Sequence, residues 1–218
     1  MVKKIIRKIV GKDDNGLLLK DEVLKLIKVK SLVISPLLEL DQIGDVSTDF
    51  RIGLDFLTLQ QGREPYIDTT TNDVEKRPLR GHFSETRRKL GEYFLLHPGQ
   101  PVLFSTLEYI KLPNNVYGVL SLRSSYSRLG LTISTIVQPG YCGCFSVEIV
   151  NNGKVPIKLM VGARILQARF IKLKNNSEYF NKSKIRKYTC QVRPTASKVN
   201  EDKELEKLNS LYKNKINT

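Results

Sequence analysis

The chain is poor in the residues that metal sites and disulfide frameworks require. Its 218 residues include three cysteines, two histidines and no tryptophan. Cys142 and Cys144 are separated by a single glycine, which is not the Cys-x-x-Cys spacing of zinc and redox sites. Neither His82 nor His97 lies in a recognisable ligand motif. We therefore expect small, buried or half-buried thiols and no zinc bound by the protein.

The sequence also lacks any apolar run near the roughly 20 residues that a membrane-spanning helix needs. Residues 1–8 are basic, but no long apolar core or small-residue cleavage site accompanies them, so a secretory signal is not expected. These absences predict a cytoplasmic protein without a membrane partner.

Acidic residues are scarce relative to basic ones: 22 Asp and Glu against 36 Lys and Arg give a net charge of +14. The basic residues are spread along the whole chain, and no aromatic-interleaved platform or zinc-finger spacing accompanies them. Nucleic-acid binding rests on charge alone and is therefore not favoured. A basic surface that attracts small polyanions fits this distribution better.

Short strand-like runs separated by turn residues are abundant. One amphipathic helix is predicted over residues 21–30, and strand patterns dominate from residue 45 onward. The predicted strands cover residues 47–56, 92–96, 101–110, 117–122, 144–150, 157–160 and 165–172. This spacing predicts an all-β fold, a mainly antiparallel distorted barrel or jelly roll with minor helical elements.

Composition divides the chain into three parts. Residues 1–16 are predicted to be an N-terminal extension, residues 17–174 a single β domain, and residues 175–218 a C-terminal arm with a charged tail. Within the β domain, the polar residues 60–89 are predicted to form a long loop. A short terminal helix is predicted over residues 201–215.

The segment Arg123-Ser124-Ser125, with Arg128 close behind, concentrates groups that bind anions. Guanidiniums offer a fork of permanently charged donors, and serine hydroxyls are small donors that fit beside them. A single carboxylate, Glu148, follows within an otherwise apolar strand pattern. Phosphate-binding groups and one isolated carboxylate indicate an enzyme that acts on a nucleotide.

Several motifs, taken in order, resemble the dCTP deaminase family of the dUTPase-like superfamily over residues 17–200. The matching stretches are Leu32-Val33-Ile34-Ser35-Pro36, Gln42-Ile43, Ser47-Thr48-Asp49-Phe50-Arg51-Ile52-Gly53, Leu96-His97-Pro98-Gly99, Leu112-Pro113, Arg123-Ser124-Ser125 with Arg128-Leu129-Gly130-Leu131, Pro139-Gly140-Tyr141-Cys142-Gly143 leading to Glu148, and Lys187-Tyr188, Gln191 and Pro194-Thr195-Ala196-Ser197. The resemblance implies hydrolytic deamination of dCTP to dUTP and ammonia without zinc, with Mg²⁺ bound through the triphosphate. It also implies a distorted antiparallel barrel that assembles as a homotrimer with active sites between subunits.

Glu148 is the implied general base, which takes a proton from the water that attacks C4 of cytosine and later returns it. A strand turns Val147 and Ile149 the opposite way, so partial desolvation of the carboxylate is expected. The alternative, from spacing alone, is a carboxylate that pairs with a cross-strand lysine on a solvated face.

The resemblance places Ser124 near the reacting centre, where its hydroxyl would orient the water or stabilise the tetrahedral adduct. Arg128 would lie beside it from the neighbouring subunit, and Arg123 and Ser125 would contact phosphate oxygens. The alternative for all four residues is a turn whose hydroxyls cap local backbone and whose arginines are solvated.

In the C-terminal arm, Lys187, Tyr188 and Gln191 are implied to close over the triphosphate. A basic tail without that role is the alternative. Tyr141 is implied to pack near the deoxyribose, and a purely structural turn aromatic is the alternative.

The sequence departs from the family pattern at two points. Gln138 stands where the family usually carries an aspartate. It remains a candidate nucleotide-binding residue, but an amide cannot act as a base, so hydrolysis of dUTP at this site is disfavoured. The connection over residues 132–137 is shorter than the family's usual link, which shapes the pyrimidine pocket. A dUTPase or related nucleotide pyrophosphatase of the same fold, and a nucleotide-binding regulatory protein that lost the chemistry, therefore stay open.

Overall fold

The structure, a computed structural model, describes residues 15–60, 62, 66–67, 69, 79–177, 187–188, 190–202, 207–208 and 211–212. Its strands are β1 (Gly16–Leu17), β2 (Val33–Ser35), β3 (Thr48–Leu59), β4 (Phe83–Arg87), β5 (Tyr93–Leu96), β6 (Pro101–Lys111), β7 (Val116–Leu122), β8 (Leu131–Ile133), β9 (Thr135–Val137), β10 (Cys142–Asn151), β11 (Ile157–Met160) and β12 (Arg164–Lys172). Its helices are α1 (Lys20–Lys28) and α2 (Ser124–Ser127), with 3₁₀ turns at Leu40–Gln42, Leu79–His82 and Val199–Glu201. None of the helices in these ranges is long and apolar enough to cross a membrane.

The strands form one large antiparallel sheet that curls round on itself. Its main path runs β8-β10-β6-β3-β12-β7-β9, with β1, β2 and β4 paired to strands along it, and β5 and β11 form a separate pair. The strands at the two ends of the path, β8 and β9, are consecutive in the chain and separated by Ser134 alone. The covalent chain therefore joins the ends of the sheet. The predicted antiparallel, barrel-like all-β fold is confirmed.

The hydrophobic core is filled mainly by phenylalanine and branched aliphatic side chains of alternating strand positions. Along β7, Val116, Gly118, Leu120 and Leu122 are buried and the residues between them are only half-buried, which is the period of two that a strand imposes. Five phenylalanines are fully buried: Phe50, Phe56, Phe104, Phe145 and Phe170. Each such side chain stabilises the fold by about 1.5–3 kcal/mol.

Helix α1 packs against this core through Val23, which is buried, and Leu24, Leu26 and Ile27, which are half-buried. The Glu22 carboxylate accepts a hydrogen bond from the Leu19 backbone N–H at 2.9 Å and so supports the start of the helix. Acidic residues in the first turn and lysines in the last turn agree with the helix dipole. The predicted amphipathic helix is confirmed.

The predicted strands correspond to β3, β5, β6, β7, β10, β11 and β12. The predicted loop over residues 60–89 was wrong at its end, because β4 pairs there with β3 from Phe83 opposite Leu59 to Arg87 opposite Asp55. The side chains of β4 are exposed or half-buried, so its sequence shows no alternation of apolar and polar residues. Backbone hydrogen bonds to β3 alone define it as a strand. Much of the remaining predicted loop, and most of the predicted terminal helix, lie outside the described residues.

A buried ionic cluster between β3 and β6 was not predicted. The side chain of Glu108 is fully buried and accepts hydrogen bonds from the Arg51 backbone N–H at 2.9 Å and from Arg51 Nη1 at 3.1 Å. Gln42 donates from Nε2 to Glu108 at 3.1 Å, and its Oε1 accepts from Arg51 Nη1 at 2.6 Å. Burial raises the pKa of Glu108 above its ordinary value, while the hydrogen bonds and charge of Arg51 oppose that rise.

Candidate active site

A cavity of about 610 Å³ lies where β9, the turn after it and β10 meet the C-terminal arm. The polar side chains around it include Thr135, Gln138, Ser146, Glu148, Lys187 and Tyr188, and strands β4 and β6 contribute apolar side chains. A mostly apolar cleft with a few convergent polar groups is the usual form of a small-molecule site. The cavity brings together five residues singled out from the sequence: Gln138, Tyr141, Glu148, Lys187 and Tyr188.

Glu148 projects from β10 on the face opposite to its two neighbours. Val147 and Ile149 are fully buried, as the strand alternation predicts, and Glu148 is exposed. Its Oε2 accepts a hydrogen bond from Thr135 Oγ1 at 3.0 Å. The expected partial desolvation is therefore absent in the isolated chain. The carboxylate is placed by its strand and by Thr135, with the cavity in front of it.

The turn between β9 and β10 presents Gln138 and Tyr141 to the cavity. The Tyr141 N–H donates to the Gln138 carbonyl at 3.2 Å. The Tyr141 hydroxyl donates to the Cys144 carbonyl at 2.6 Å, and burial raises the pKa of Tyr141. The hydroxyl of Tyr141 is therefore occupied by a backbone partner, and its aromatic ring is the part that can contact a ligand.

The C-terminal arm crosses β10 and forms one wall of the cavity. The Cys144 N–H donates to the Gln191 carbonyl at 2.8 Å. Gly143 has a φ of +136°, and a Cβ there would lie 2.6 Å from the Gln191 carbonyl oxygen, so this close approach requires glycine. Lys187 Nζ lies 2.6 Å from Asp202 Oδ2, and Lys187 and Tyr188 both line the cavity. Gln191 anchors the arm and does not itself line the cavity.

A disulfide bond joins Cys142 of β10 to Cys190 of the arm. The Cys190 N–H also donates to the Cys142 carbonyl at 2.8 Å. The prediction of three thiols was wrong, because the two partners are 48 residues apart in sequence and only the fold brings them together. Cys144 remains a free, buried thiol, and burial raises its pKa to about 11. The bond ties the arm to the strand that carries Glu148.

Replacing Cys190 with serine should loosen the arm. Hydrogen exchange at the Cys144 amide, which donates to the Gln191 carbonyl, should accelerate at least about tenfold, because a disulfide typically contributes about 2–4 kcal/mol. Amides within the β3–β6 pairing serve as the internal reference: a loss of global stability accelerates them as well, so local loosening of the arm is the acceleration at Cys144 beyond theirs. Reductant should reproduce the effect in the unmodified protein and add nothing in the variant. Unchanged protection at Cys144 in the variant would show that the arm is held without the bond.

Arg123, Ser124, Ser125 and Arg128, all described, do not line the cavity of the single chain. Arg123, Ser124 and Ser125 lie at the start of α2, directly after β7, and Arg128 lies at its C-terminal end. Arg123 Nε is 3.6 Å from an Asp49 carboxylate oxygen, and its Nη1 donates to a backbone carbonyl of β12 at 3.2 Å. Ser124, Ser125 and Arg128 are exposed, so their side chains face outward from this chain.

Four polar residues of the cavity were not named as site residues from the sequence: Thr135 and Ser146, and also Thr195 and Ser197, which entered only within the arm motif. Ser146 lies two residues before Glu148 on β10, so the period of two could have placed both on one face. No motif marks Thr135, which belongs to the short connection over residues 132–137. Its place beside Glu148 depends on where β8 ends and β9 begins.

A family model described as dCTP deaminase-like matches residues 17–173. The chain belongs to the dCTP deaminase-like family. Among the relatives of this dCTP deaminase-like chain, a dUMP-forming dCTP deaminase of Methanobrevibacter smithii is 32% identical over 87% of this chain and 99% of the relative. A dCTP deaminase of Halorubrum lacusprofundi is 34% identical over 84% of this chain and 91% of the relative. The resemblance drawn from the sequence motifs is confirmed.

The fold of this dCTP deaminase-like chain also matches a solved structure. The crystal structure of 2′-deoxycytidine 5′-triphosphate deaminase from Agrobacterium tumefaciens aligns with a TM-score of 0.55 and 22% sequence identity. The match covers 72% of this chain and 48% of that chain, so this chain spans about half the length of the solved one. The two proteins share a fold over the aligned part.

Proposed function

We propose that this protein hydrolyses the exocyclic amine of dCTP and releases dUTP and ammonia. The observation that carries the proposal is that Glu148 and Gln138 both line one cavity, in a chain of the dCTP deaminase-like family. A carboxylate is available there for proton transfer, while the turn that follows β9 offers an amide and no second carboxylate.

Proton transfer by Glu148 accounts for both halves of the reaction. Water adds to C4 of cytosine as the Glu148 carboxylate takes its proton. The carboxylic acid delivers that proton to N3, which completes the tetrahedral adduct. The carboxylate then takes the proton of the C4 hydroxyl and passes it to the amine, so that the C4–N bond breaks, ammonia leaves and the C4 carbonyl of uracil forms. A general base of this kind contributes about 10²–10⁴-fold to the rate.

The proposed site is completed by a neighbouring subunit of a homotrimer. Ser124, Ser125 and Arg128 are exposed and lie away from the cavity of their own chain. We assign Ser124 and Arg128 to the cavity of the adjacent subunit, where the hydroxyl would stabilise the adduct and the guanidinium would hold Glu148 or the nucleotide. Arg123 and Ser125 would contact phosphate oxygens.

The arm would cover the triphosphate. Lys187 and Tyr188 line the cavity, and the backbone of Gln191 holds the arm to β10. The Lys187 ammonium contacts the Asp202 carboxylate, so a phosphate group would compete with Asp202 for it. Mg²⁺ would arrive on the nucleotide, because such an ion is usually held by substrate phosphates with few protein carboxylates. Among the described residues, Glu148 is the one carboxylate that lines the cavity.

A dUMP-forming enzyme is the second candidate, since curated relatives such as that of Methanobrevibacter smithii carry that description. Making dUMP also requires water to attack the α-phosphate, a step that a carboxylate in the turn would assist. Gln138 occupies that turn here, so the single deamination is the better supported product pathway.

Product chromatography after incubation of the purified protein with Mg²⁺ and dCTP tests the proposal. We expect dUTP and ammonia, and no change in a parallel incubation with dUTP. Appearance of dUMP and pyrophosphate in either tube would favour the second candidate. Absence of any product would overturn both and leave a nucleotide-binding regulatory protein.

A further inference from the structure

Thr135 is the one described residue whose side chain is hydrogen-bonded to the Glu148 carboxylate in this chain. Its Oγ1 donates to Glu148 Oε2 at 3.0 Å. Thr135 is half-buried and lines the same cavity. The contact joins two residues 13 positions apart, and nothing in the packing of the core demands it, because Glu148 is exposed.

The backbone around Thr135 is held from two sides. Strand β8 pairs with β10 up to Ile133 opposite Ile149, and the chain then crosses Ser134. Strand β9 begins at Thr135, which pairs with Leu120 of β7. The short connection thus spans the gap between the two ends of the curled sheet and passes beside Glu148. A threonine fixed there has few χ1 options, because its β carbon is branched.

This placement has a chemical consequence for a carboxylate base. A base that samples several rotamers spends part of its time out of reach of the attacking water, whereas a base held in one orientation does not. A donor on one carboxylate oxygen also leaves the lone pairs of the other oxygen for the incoming proton. The hydroxyl of Thr135 does both for Glu148.

We propose that Thr135 is the positioning residue of Glu148: it holds Oε2 and leaves Oε1 to take the proton from water. The inference rests on the proposed function, because it assigns Glu148 the role of base. The short connection over residues 132–137 then has a role of its own, since it delivers the hydroxyl that orients the carboxylate.

The test compares Thr135→Val with Thr135→Ser. Valine keeps the branched shape and removes the hydroxyl, so kcat for dCTP deamination should fall by roughly 10- to 100-fold with KM nearly unchanged. Serine keeps the donor and should restore most of the rate. Thr86→Val is the matched control, because Thr86 is a half-buried threonine of β4 that lies outside the cavity lining; its kcat should match that of the unmodified protein.

The distribution of the loss between kcat and KM separates positioning from a structural role. Loss of positioning lowers kcat, leaves KM and the midpoint of urea denaturation close to those of the unmodified protein, and is reversed in Thr135→Ser. An unmodified protein that does not deaminate dCTP would overturn the proposed function and this inference together. An active protein whose Thr135→Val variant keeps the normal kcat, or loses kcat only together with its stability, would overturn this inference alone.

Discussion

Replacing Glu148 with glutamine should abolish measurable deamination of dCTP, with a loss of at least about 10²–10⁴-fold in kcat. The amide has nearly the same shape and exposure but cannot accept a proton from water. Because the proposed site would bind the triphosphate through other groups, the affinity for Mg²⁺-dCTP should remain within a few fold of normal. Product chromatography gives the rate, and calorimetric titration with Mg²⁺-dCTP gives the affinity.

Glu85→Gln provides a matched control for that loss. Glu85 is an exposed strand glutamate on β4, paired with Arg80 at 3.0 Å and placed outside the cavity lining. Its replacement should leave kcat unchanged. A near-normal rate in Glu148→Gln would end the assignment of Glu148 as the base.

The Glu148→Gln variant can also test whether two neighbouring subunits share the proposed site. Chains with Glu148→Gln and chains with Arg128→Ala should each be inactive alone, because each lacks one part of every site. Mixed assemblies formed by co-expression should regain activity where an intact Glu148 meets an intact Arg128 from the neighbouring chain. Failure of the mixture to recover activity would contradict the placement of Arg128 in an adjacent subunit.

Local patterns were sufficient to predict the body of the fold. Strand β7, and β10 from Phe145 onward, bury alternate side chains, so their period of two is visible in the sequence. The same alternation placed Glu148 on the face opposite Val147 and Ile149, and the structure has it there. The turn that carries Gln138 and Tyr141 was marked by Pro139-Gly140, because proline and glycine together specify such turns.

The remaining features depend on contacts between distant segments, which local patterns do not encode. Strand β4 is polar and is recognisable only by its pairing with β3. Cys190 meets Cys142 across 48 residues, and Arg51 meets Glu108 across 57. Thr135 reaches Glu148 because the chain leaves the β10 edge after β8 and pairs with β7 through β9. Each of these depends on the path of the chain around the curled sheet.

The buried cluster of Arg51, Glu108 and Gln42 should contribute strongly to the stability of the fold. Arg51→Met should lower the free energy of unfolding by about 3–5 kcal/mol, because it leaves the fully buried Glu108 carboxylate without its counter-ion. Methionine keeps much of the arginine stem volume, so the loss reports mainly on the charge. Urea denaturation measures it. Arg80→Met is the matched control, since Arg80 and Glu85 form an exposed ion pair of a kind that contributes about 0–1 kcal/mol.

The pH dependence of this loss identifies its cause. Burial already raises the pKa of Glu108, and Arg51→Met removes the guanidinium, whose charge and side-chain hydrogen bond oppose the rise, while the backbone N–H of residue 51 still donates to the carboxylate. A carboxyl whose pKa is higher in the folded state binds a proton more tightly there than in the unfolded chain. The free energy of unfolding therefore falls as the pH rises from the pKa of the unfolded chain, about 4.3, through the pKa of the folded protein. The penalty of Arg51→Met should therefore shrink in acid. An equal penalty at every pH would assign it to lost packing around Arg51, because a protonated Glu108 needs no counter-ion.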